Sequence, residues 1–422
     1  MNFYKLFDYE SLEWLEINEL LNETNLTTLN DIKLFISNLA KLPDDIEFKT
    51  LDAQKQFYNE NELVSIFNRI RQYALRLSGL FSLGKITRLN ETNPRVDFKR
   101  FEILCLLCHM ILCTLKKSKK NLYWVTFENW LTDGRSCAIT YLQTLIEYFR
   151  QTFSTQGDLE SDEFMNETVI FKRNSSDLKK IMDILKSDAC TFKDVSLSLN
   201  GSLGDGDGPP EVYFANCDIG YGITGTQEEI LFGASPELCI SMLFCDTLKE
   251  DDAISITGAR KISNFNGYGL DINLNSFIPK ESRCWRERTI IAIDAIDFSY
   301  DFGPNLLKNQ LLPENLNREL VKAFAGFSLV NDTKICTGHW GCGCFSGNKQ
   351  LKALIQLVAA SISNNSLLFY SYGDAEFLEA FGLFLAEIKY KNVSVSTLWS
   401  LILNLENDLK DENVFNFLKN KF

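Results

Sequence analysis

Apolar residues recur at three- and four-residue intervals through LRLSGLFSLGKI (residues 75–86) and SCAITYLQTLIEYFR (136–150), the spacing of one buried helical face. DIKLFISNLAKL (31–42) repeats that rhythm, with Asn30 or Asp31 as the expected cap and Pro43 as the stop. The pattern predicts a helical region over roughly the first 150 residues. QTFSTQGDLESDEFMNE (151–167) is polar and acidic and reads as an exposed connection. Beyond it the period changes. TVIFKR, VSLSLNG, EVYFAN, AISITGA, TIIAIDAIDF and SLLFYSYGD are short β-branched or aromatic runs bounded by turn residues. Between them stand the helical stretches SPELCISMLFCDTL, LPENLNRELVKAFAGF and NKQLKALIQLVAASIS. Strands alternating with helices predict a mixed α/β sheet covered by helices. The expected division is a helical accessory region over 1–165 and an α/β core over 166–422. GSLGDGDGPP (201–210) reads as a plain loop, and no internal repeat or low-complexity tract is evident.

The most apolar run, FEILCLLCHMILCTL (101–115), is too short to span a bilayer and carries Glu102 and His109, so it reads as a buried helix. Within it Cys105, Cys108 and His109 spell a haem-attachment string, but core packing is the better account of cysteines in an apolar helix. The residues after Met1 have neither a basic start nor an apolar signal core. Twelve cysteines without small-scaffold spacing read as free thiols in a reducing compartment. The expectation is a soluble intracellular protein, nuclear and/or cytoplasmic, with no membrane partner. A formal net charge of −13 argues against a broad phosphate-gripping face, so no duplex DNA binding is expected. A polyanion held locally by backbone N–H groups stays open.

Candidate chemistry gathers in CDIGYGITGTQEEILF (217–232). Adjacent carboxylates diverge on a strand or within a helix. Glu228 and Glu229 therefore meet one ligand only where a loop enters a helix, and Gly220, Gly222 and Gly225 supply such a loop. Helix-start N–H groups there also suit an anionic phosphate. Glycosidic cleavage needs an acid for the leaving oxygen and negative charge near an oxocarbenium-like centre. QEE is equally a common solvated helix face, so the surrounding text has to decide. Other apparatus is scarce. With only His109 and His339 in the chain, a Ser-His-Asp or Cys-His site has little to work with. Cys336, Cys342, Cys344 and His339 offer a conceivable zinc set, but free thiols beside a ligand loop are preferred. No metal and no cofactor is expected.

EVYFANCDIGYGITGTQEEILFGASPELCISMLF resembles the core of the poly(ADP-ribose) glycohydrolase family, where Asp-Phe-Ala-Asn leads to three glycines, Gln-Glu-Glu and a Pro-Glu-Leu helix. ISITGARKISNFNGYG resembles the segment with the family's adenine-contacting tyrosine, here Tyr268. CTGHWGCGCFSGNKQLKALIQLVAA resembles a glycine-rich loop and helix that close on the ligand. LLFYSYGDAEF resembles a final strand with an aromatic near the adenine, here Tyr372. FEILCLLCHMILCTL resembles a helix of the accessory region. The likeness runs over roughly residues 100–390. It implies a macrodomain-like three-layer α/β/α core with a mixed sheet, preceded by an all-helical accessory region. It also implies hydrolysis of ribose–ribose bonds in poly(ADP-ribose) to release ADP-ribose. By this resemblance Glu229 is the acid, Glu228 holds ribose hydroxyls, and Asn216 and Gln227 support the site. Gly220 and Gly222 admit the diphosphate to backbone N–H groups. Phe345 packs beside diphosphate and ribose, with Gly341 and Gly343 giving its loop room. The implied partners are poly(ADP-ribose), ADP-ribose and ADP-ribosylated proteins.

Three positions and the length of one connection depart from the family pattern. Tyr213 stands where the family has an Asp, Tyr221 interrupts the glycine triplet, and His339 replaces an Asn. The connection Ile223-Thr224-Gly225-Thr226 between GYG and QEE is shorter than usual. On sequence alone, a catalytically impaired ADP-ribose-binding protein or a structural protein on the same fold stays open beside an active hydrolase.

Overall fold

A computed structural model of the chain describes residues 2–116, 125–155, 157–187, 190–201, 203, 208–220, 222–282, 284–405 and 413–422. Twelve strands are described: β1 (Phe3–Lys5), β2 (Lys85–Thr87), β3 (Arg95–Lys99), β4 (Thr168–Ser175), β5 (Val195–Ser198), β6 (Glu211–Ala215), β7 (Asp252–Thr257), β8 (Ser263–Asn266), β9 (Asn273–Phe277), β10 (Thr289–Asp294), β11 (Lys334–Thr337) and β12 (Ser366–Tyr370). The large sheet has the order β3-β4-β7-β10-β6-β11-β12-β5. The chain forms two compact units. One holds Met1–Phe171, Asp218–Thr247 and Ile256–Glu287. The other holds Lys172–Cys217, Leu248–Ser255 and Arg288–Phe422.

In the second unit β10, β6, β11, β12 and β5 are parallel neighbours, with Ile291 opposite Val212 and Cys336 opposite Leu368. Parallel strands need crossover connections, and helices buried against both faces make such strands apolar throughout. The helices Pro313–Phe327 and Lys349–Ile362 serve this purpose and pack on each other. Their core includes Ile291, Ile293, Leu320, Phe324, Ile335, Leu354, Val358 and Phe369, all buried. Because the strands run the same way, their carboxyl ends line one edge, the edge where open α/β sheets hold ligands. Asn216 leaves β6 there, the loop from Gly338 leaves β11, and Tyr372 leaves β12.

The first unit is mostly helical. Helix Arg100–Ile111 is buried along its length except Glu102, as its uniform apolarity requires. Cys105, Cys108 and His109 are fully buried core residues. The backbone carbonyl of Ala74 meets His109 Nε2 at 2.9 Å, and Thr114 Oγ1 meets Nδ1 at 2.7 Å. A carbonyl only accepts, so the neutral ring carries its proton on Nε2. Among the described residues no helix is long and apolar enough to cross a membrane. Helix Ser136–Phe153 packs on Glu60–Ala74 and on Gln227–Ala234.

Three sequence expectations need correction. LRLSGLFSLGKI is not one helix: only Leu77–Leu80 is helical, and Lys85–Thr87 becomes β2, paired antiparallel with β1. Gly84 at φ +61° turns the chain where any Cβ would strike the Phe7 carbonyl oxygen, so tertiary pairing overrides the helical period. Thr28, not Asn30 or Asp31, caps the helix Leu29–Ala40, while Asp31 closes the capping box from the third position. The 151–167 stretch is not simply exposed. Leu159, Phe164 and Met165 are buried, and Arg100 lies over the Phe164 ring at 4.8 Å.

Candidate active site

The Gln227–Ala234 helix begins at Thr226, whose hydroxyl accepts from the Glu229 N–H at 3.4 Å. Thr226-Gln227-Glu228-Glu229 is a capping box, and Glu229 Oε2 reaches back to the Thr226 N–H at 3.1 Å. The same oxygen accepts from the Thr224 N–H at 2.8 Å and the Thr224 hydroxyl at 2.7 Å. Glu229 Oε1 has no such partner among the described residues. It lies under Gly222, where a Cβ would stand 1.9 Å away. Glu228, one residue earlier in the same first turn, accepts the Gly220 N–H on Oε1 at 3.1 Å. Both carboxylates thus turn back from the helix start onto the glycine loop, as the adjacency reading required. Gln227 is the first helical residue. At Gly220 a Cβ would stand 2.9 Å from the terminal methyl of Met242, which is able to shift.

A second loop is spliced to the first. The Gly269 N–H donates to the Gly225 carbonyl at 2.9 Å, and a Cβ on Gly225 (φ +72°) would stand 2.1 Å from the Gly269 oxygen. Tyr268 directly precedes this contact and leaves 60% of its surface exposed. The Ser136–Phe153 helix holds the other side of the turn: Ser136 Oγ donates to the Leu270 carbonyl and Cys137 Sγ to the Gly269 carbonyl at 3.1 Å. Trp130 Nε1 donates to the Gly222 carbonyl at 3.2 Å. The acid pair and the adenine-contact tyrosine named from sequence are therefore brought together within one unit. Below them Glu237 of the Pro-Glu-Leu stretch, fully buried, takes the Arg260 N–H at 2.7 Å and the Arg100 guanidinium.

In the second unit, Asn216, Phe345 and Tyr372 gather at the strand ends. Phe345 accepts the Phe298 N–H on its carbonyl at 3.0 Å. Its loop is closed by Gly347 N–H to Gly341 O at 2.9 Å and by Gln310, which donates to Ser346 O at 3.2 Å and accepts from Asn348 N–H at 2.7 Å. Gly343 leaves open space beside it. Tyr372 takes a left-handed φ of 52°. A Cβ on Gly338 would meet its ring at 2.7 Å, so the glycine admits the tyrosine. His339 packs edge-on against Phe377 at 4.8 Å, and burial lowers its pKa to about 4. Cys336, Cys342 and Cys344 are free thiols. Among the described residues no cluster of three or more His, Cys, Asp or Glu side chains is arranged to hold a metal. Tyr213 is buried inside β6. Tyr221 lies outside the described residues.

The sequence reading missed Thr224 and Thr226, which hold Glu229, and Trp130, which holds the glycine loop. The Thr-x-x-Glu spacing was a visible signal for Thr226. No sequence signal links Trp130 to a loop so distant in the chain.

Two family models match in succession. One describes the poly(ADP-ribose) glycohydrolase helical domain and covers residues 49–173; the other describes the poly(ADP-ribose) glycohydrolase macro domain fold and covers residues 181–379. Poly(ADP-ribose) glycohydrolase 1 of Caenorhabditis elegans is 37% identical over 213 residues, 46% of this chain and 27% of that protein. Poly(ADP-ribose) glycohydrolase 2 of the same organism is 33% identical over 232 residues, 50% of this chain and 47% of that one. The chain thus spans less than half the length of these relatives. The crystal structure of poly(ADP-ribose) glycohydrolase from Deinococcus radiodurans in complex with ADP-ribose aligns over 52% of this chain and 94% of that chain, at 14% identity and a TM-score of 0.34, too distant to transfer geometry. A helical-domain match running into a macro-domain match, across the stretch that carries the glycine loop, the glutamate pair and the Tyr268 turn, places the chain in the poly(ADP-ribose) glycohydrolase family.

Proposed function

We propose that the chain hydrolyses ribose–ribose O-glycosidic bonds of poly(ADP-ribose) and releases ADP-ribose. The observation that carries this reading is the placement of Glu228 and Glu229 in the first turn of a helix, folded back under Gly222 and spliced to the Tyr268 turn. Glu229 Oε1, the oxygen without a hydrogen bond among the described residues, protonates the leaving ribose oxygen while Oε2 stays anchored on Thr224 and Thr226. The resulting carboxylate then takes a proton from water as its hydroxyl joins the anomeric carbon, which restores the acid. Glu228 holds ribose hydroxyls, and Asn216 and Gln227 support the sugar. The Gly220 N–H now serves Glu228, so diphosphate binding there requires Glu228 to turn toward the ribose. Gly222 offers its N–H beside it. Phe345, with Gly343 giving its loop room, covers diphosphate and ribose. Tyr268 and Tyr372 contact adenine, each aromatic face contributing about 1–3 kcal/mol where base stacking has been tested.

On this reading the ligands are ADP-ribose, its polymer and ADP-ribosylated proteins, met in the nucleus and/or cytoplasm. The helical accessory region is assigned to 1–165 and the macrodomain-like core to 166–422. The test is ADP-ribose release from the polymer by wild type and by Glu229→Gln. The expected result is release by the wild type and a loss of at least about 100-fold in the variant. Equal rates overturn the assignment of the acid, and an inactive wild type overturns the activity.

A further inference from the structure

Tyr141 is fully buried, and its hydroxyl has no hydrogen-bond partner among the described residues. A buried polar group left unpaired destabilises the fold, so such a group calls for a reason. Its ring occupies the space a side chain at position 233 would need: a Cβ on Gly233 would stand 2.2 Å from Cδ1 and 2.5 Å from Cε1. Gly233 lies one helical turn after Glu229, so the tyrosine is seated on the face of the helix that carries the acid. Trp130, whose indole N–H holds the Gly222 carbonyl, lies 5.3 Å from the Tyr141 ring. Phe265 closes the box at 5.8 Å. Burial, and after it the Glu229 carboxylate, hold the phenol well above its ordinary pKa, so it remains a proton donor.

Other groups that feel Glu229 are already committed. Arg135 is engaged by Asp133 at 2.6 Å, and the Cys137 thiol donates to the Gly269 carbonyl at 3.1 Å. Among these, Tyr141 is the one whose donor is both buried and unpaired, while the Arg135 guanidinium reaches solvent.

We propose that Tyr141 is a positioning residue for Glu229, its hydroxyl donating to the carboxylate as that group gives up its proton. The inference rests on the assignment of Glu229 as the acid. A donor of this kind acts where charge develops, and so raises turnover without strengthening ground-state binding. Tyr141→Phe keeps the ring and removes only the hydroxyl. The expected result is a kcat about 10-fold lower, with KM within about twofold of wild type and a melting temperature no lower than wild type. An unchanged kcat, or a fall in kcat accompanied by lost thermal stability, overturns the proposal.

A second readout does not require turnover. With tyrosine labelled at ¹³Cζ, the Tyr141 resonance is compared between wild type and Glu229→Gln, each saturated with ADP-ribose. A shifted resonance supports the contact; an unmoved one overturns it. A shifted resonance in a wild type that releases no ADP-ribose sustains the contact and rejects only the hydrolase reading.

Discussion

Gly222 and Glu229 compete for one space: the place of a Cβ on the first is taken, at 1.9 Å, by Oε1 of the second. The glycine fixes where the acid points. The requirement that Gly222 meets here is one of space. The atom in the way is the free end of a flexible side chain, and that end is able to swing aside.

Gly222→Ala is therefore expected to leave the fold nearly intact and to remove activity. The carboxylate moves instead of the backbone, and a displacement near 1 Å costs about 100-fold in rate. The melting temperature should fall by less than about 4 °C. Thermal denaturation and polymer hydrolysis on the same preparation check this. A variant that retains turnover would show that Oε1 is not the working oxygen.

Gly225→Ala should behave in the opposite way. Here φ is +72° and the obstructing atom, 2.1 Å from where the new methyl would stand, is the Gly269 carbonyl oxygen, which is backbone. Left-handed strain costs about 1–2 kcal/mol before the clash is relieved. The Gly269 N–H to Gly225 carbonyl bond, which seats the Tyr268 turn, is lost with it. The expectation is destabilisation of about 2 kcal/mol or more, with ADP-ribose affinity down at least about 10-fold through the displaced tyrosine. Chemical denaturation and calorimetry measure the two effects. Normal affinity in a destabilised variant would detach Tyr268 from the splice.

These two glycines show how far the sequence is legible. A glycine-broken loop before adjacent glutamates announces a loop-to-helix entry, and the strand–helix alternation after residue 166 announces the sheet. Local pattern suffices there because each element's period reflects its own burial. The Gly225–Gly269 bond, the Trp130–Gly222 bond and the seating of Tyr141 against Gly233 join segments far apart in sequence, and nothing in a local period encodes them. Tyr141 sits in an amphipathic run that reads as core, which it is; its unpaired hydroxyl becomes visible only once its neighbours are placed. The short β1–β2 pairing was hidden for the same reason, since Lys85–Thr87 lies in a helical rhythm that pairing with Phe3–Lys5 overrides.

His109 supplies an acid-sensitive element. Burial lowers its pKa from 6.5 to about 4. Above pH 6.5 the ring is neutral in both folded and unfolded chains and contributes nothing to the pH dependence. As pH falls from 6.5 toward about 4, the unfolded chain takes up a proton that the folded chain refuses, so stability is lost; below about 4 the loss levels off. The full loss is about 3 kcal/mol. His109→Gln keeps a donor for the Ala74 carbonyl and removes the titration. Denaturation at pH 7 and pH 4.5 should show the wild type losing about 2–3 kcal/mol more than the variant. Parallel losses would place the acid sensitivity elsewhere.

Glu319 and Lys352 form a buried ion pair beneath the loop that carries Phe345. Glu319 Oε1 also accepts the Ile296 N–H at 2.7 Å, and Lys352 Nζ lies over the Trp340 ring at 4.2 Å. Trp340 in turn donates to the Ile293 carbonyl at 3.1 Å. A Cβ on Gly341 would stand 3.2 Å from Lys352 Nζ, so the ammonium sits directly against the loop's closing turn. Glu319 also accepts from Arg318 Nη1 at 3.1 Å, whereas Lys352 has Glu319 as its one anion among the described residues. Removing Glu319 strands the ammonium in the core and is expected to cost about 3–5 kcal/mol, whereas removing both leaves no unpaired charge there. Glu319→Gln should therefore destabilise strongly, and Lys352→Met added to it should restore much of the loss, because the amide oxygen still serves Ile296. Denaturant unfolding of the two single variants and the double variant gives the coupling, expected to exceed about 1 kcal/mol. Additive losses would mean that Lys352 is held by Trp340 and packing, and that Glu319 serves the Ile296 N–H and Arg318 rather than the ammonium.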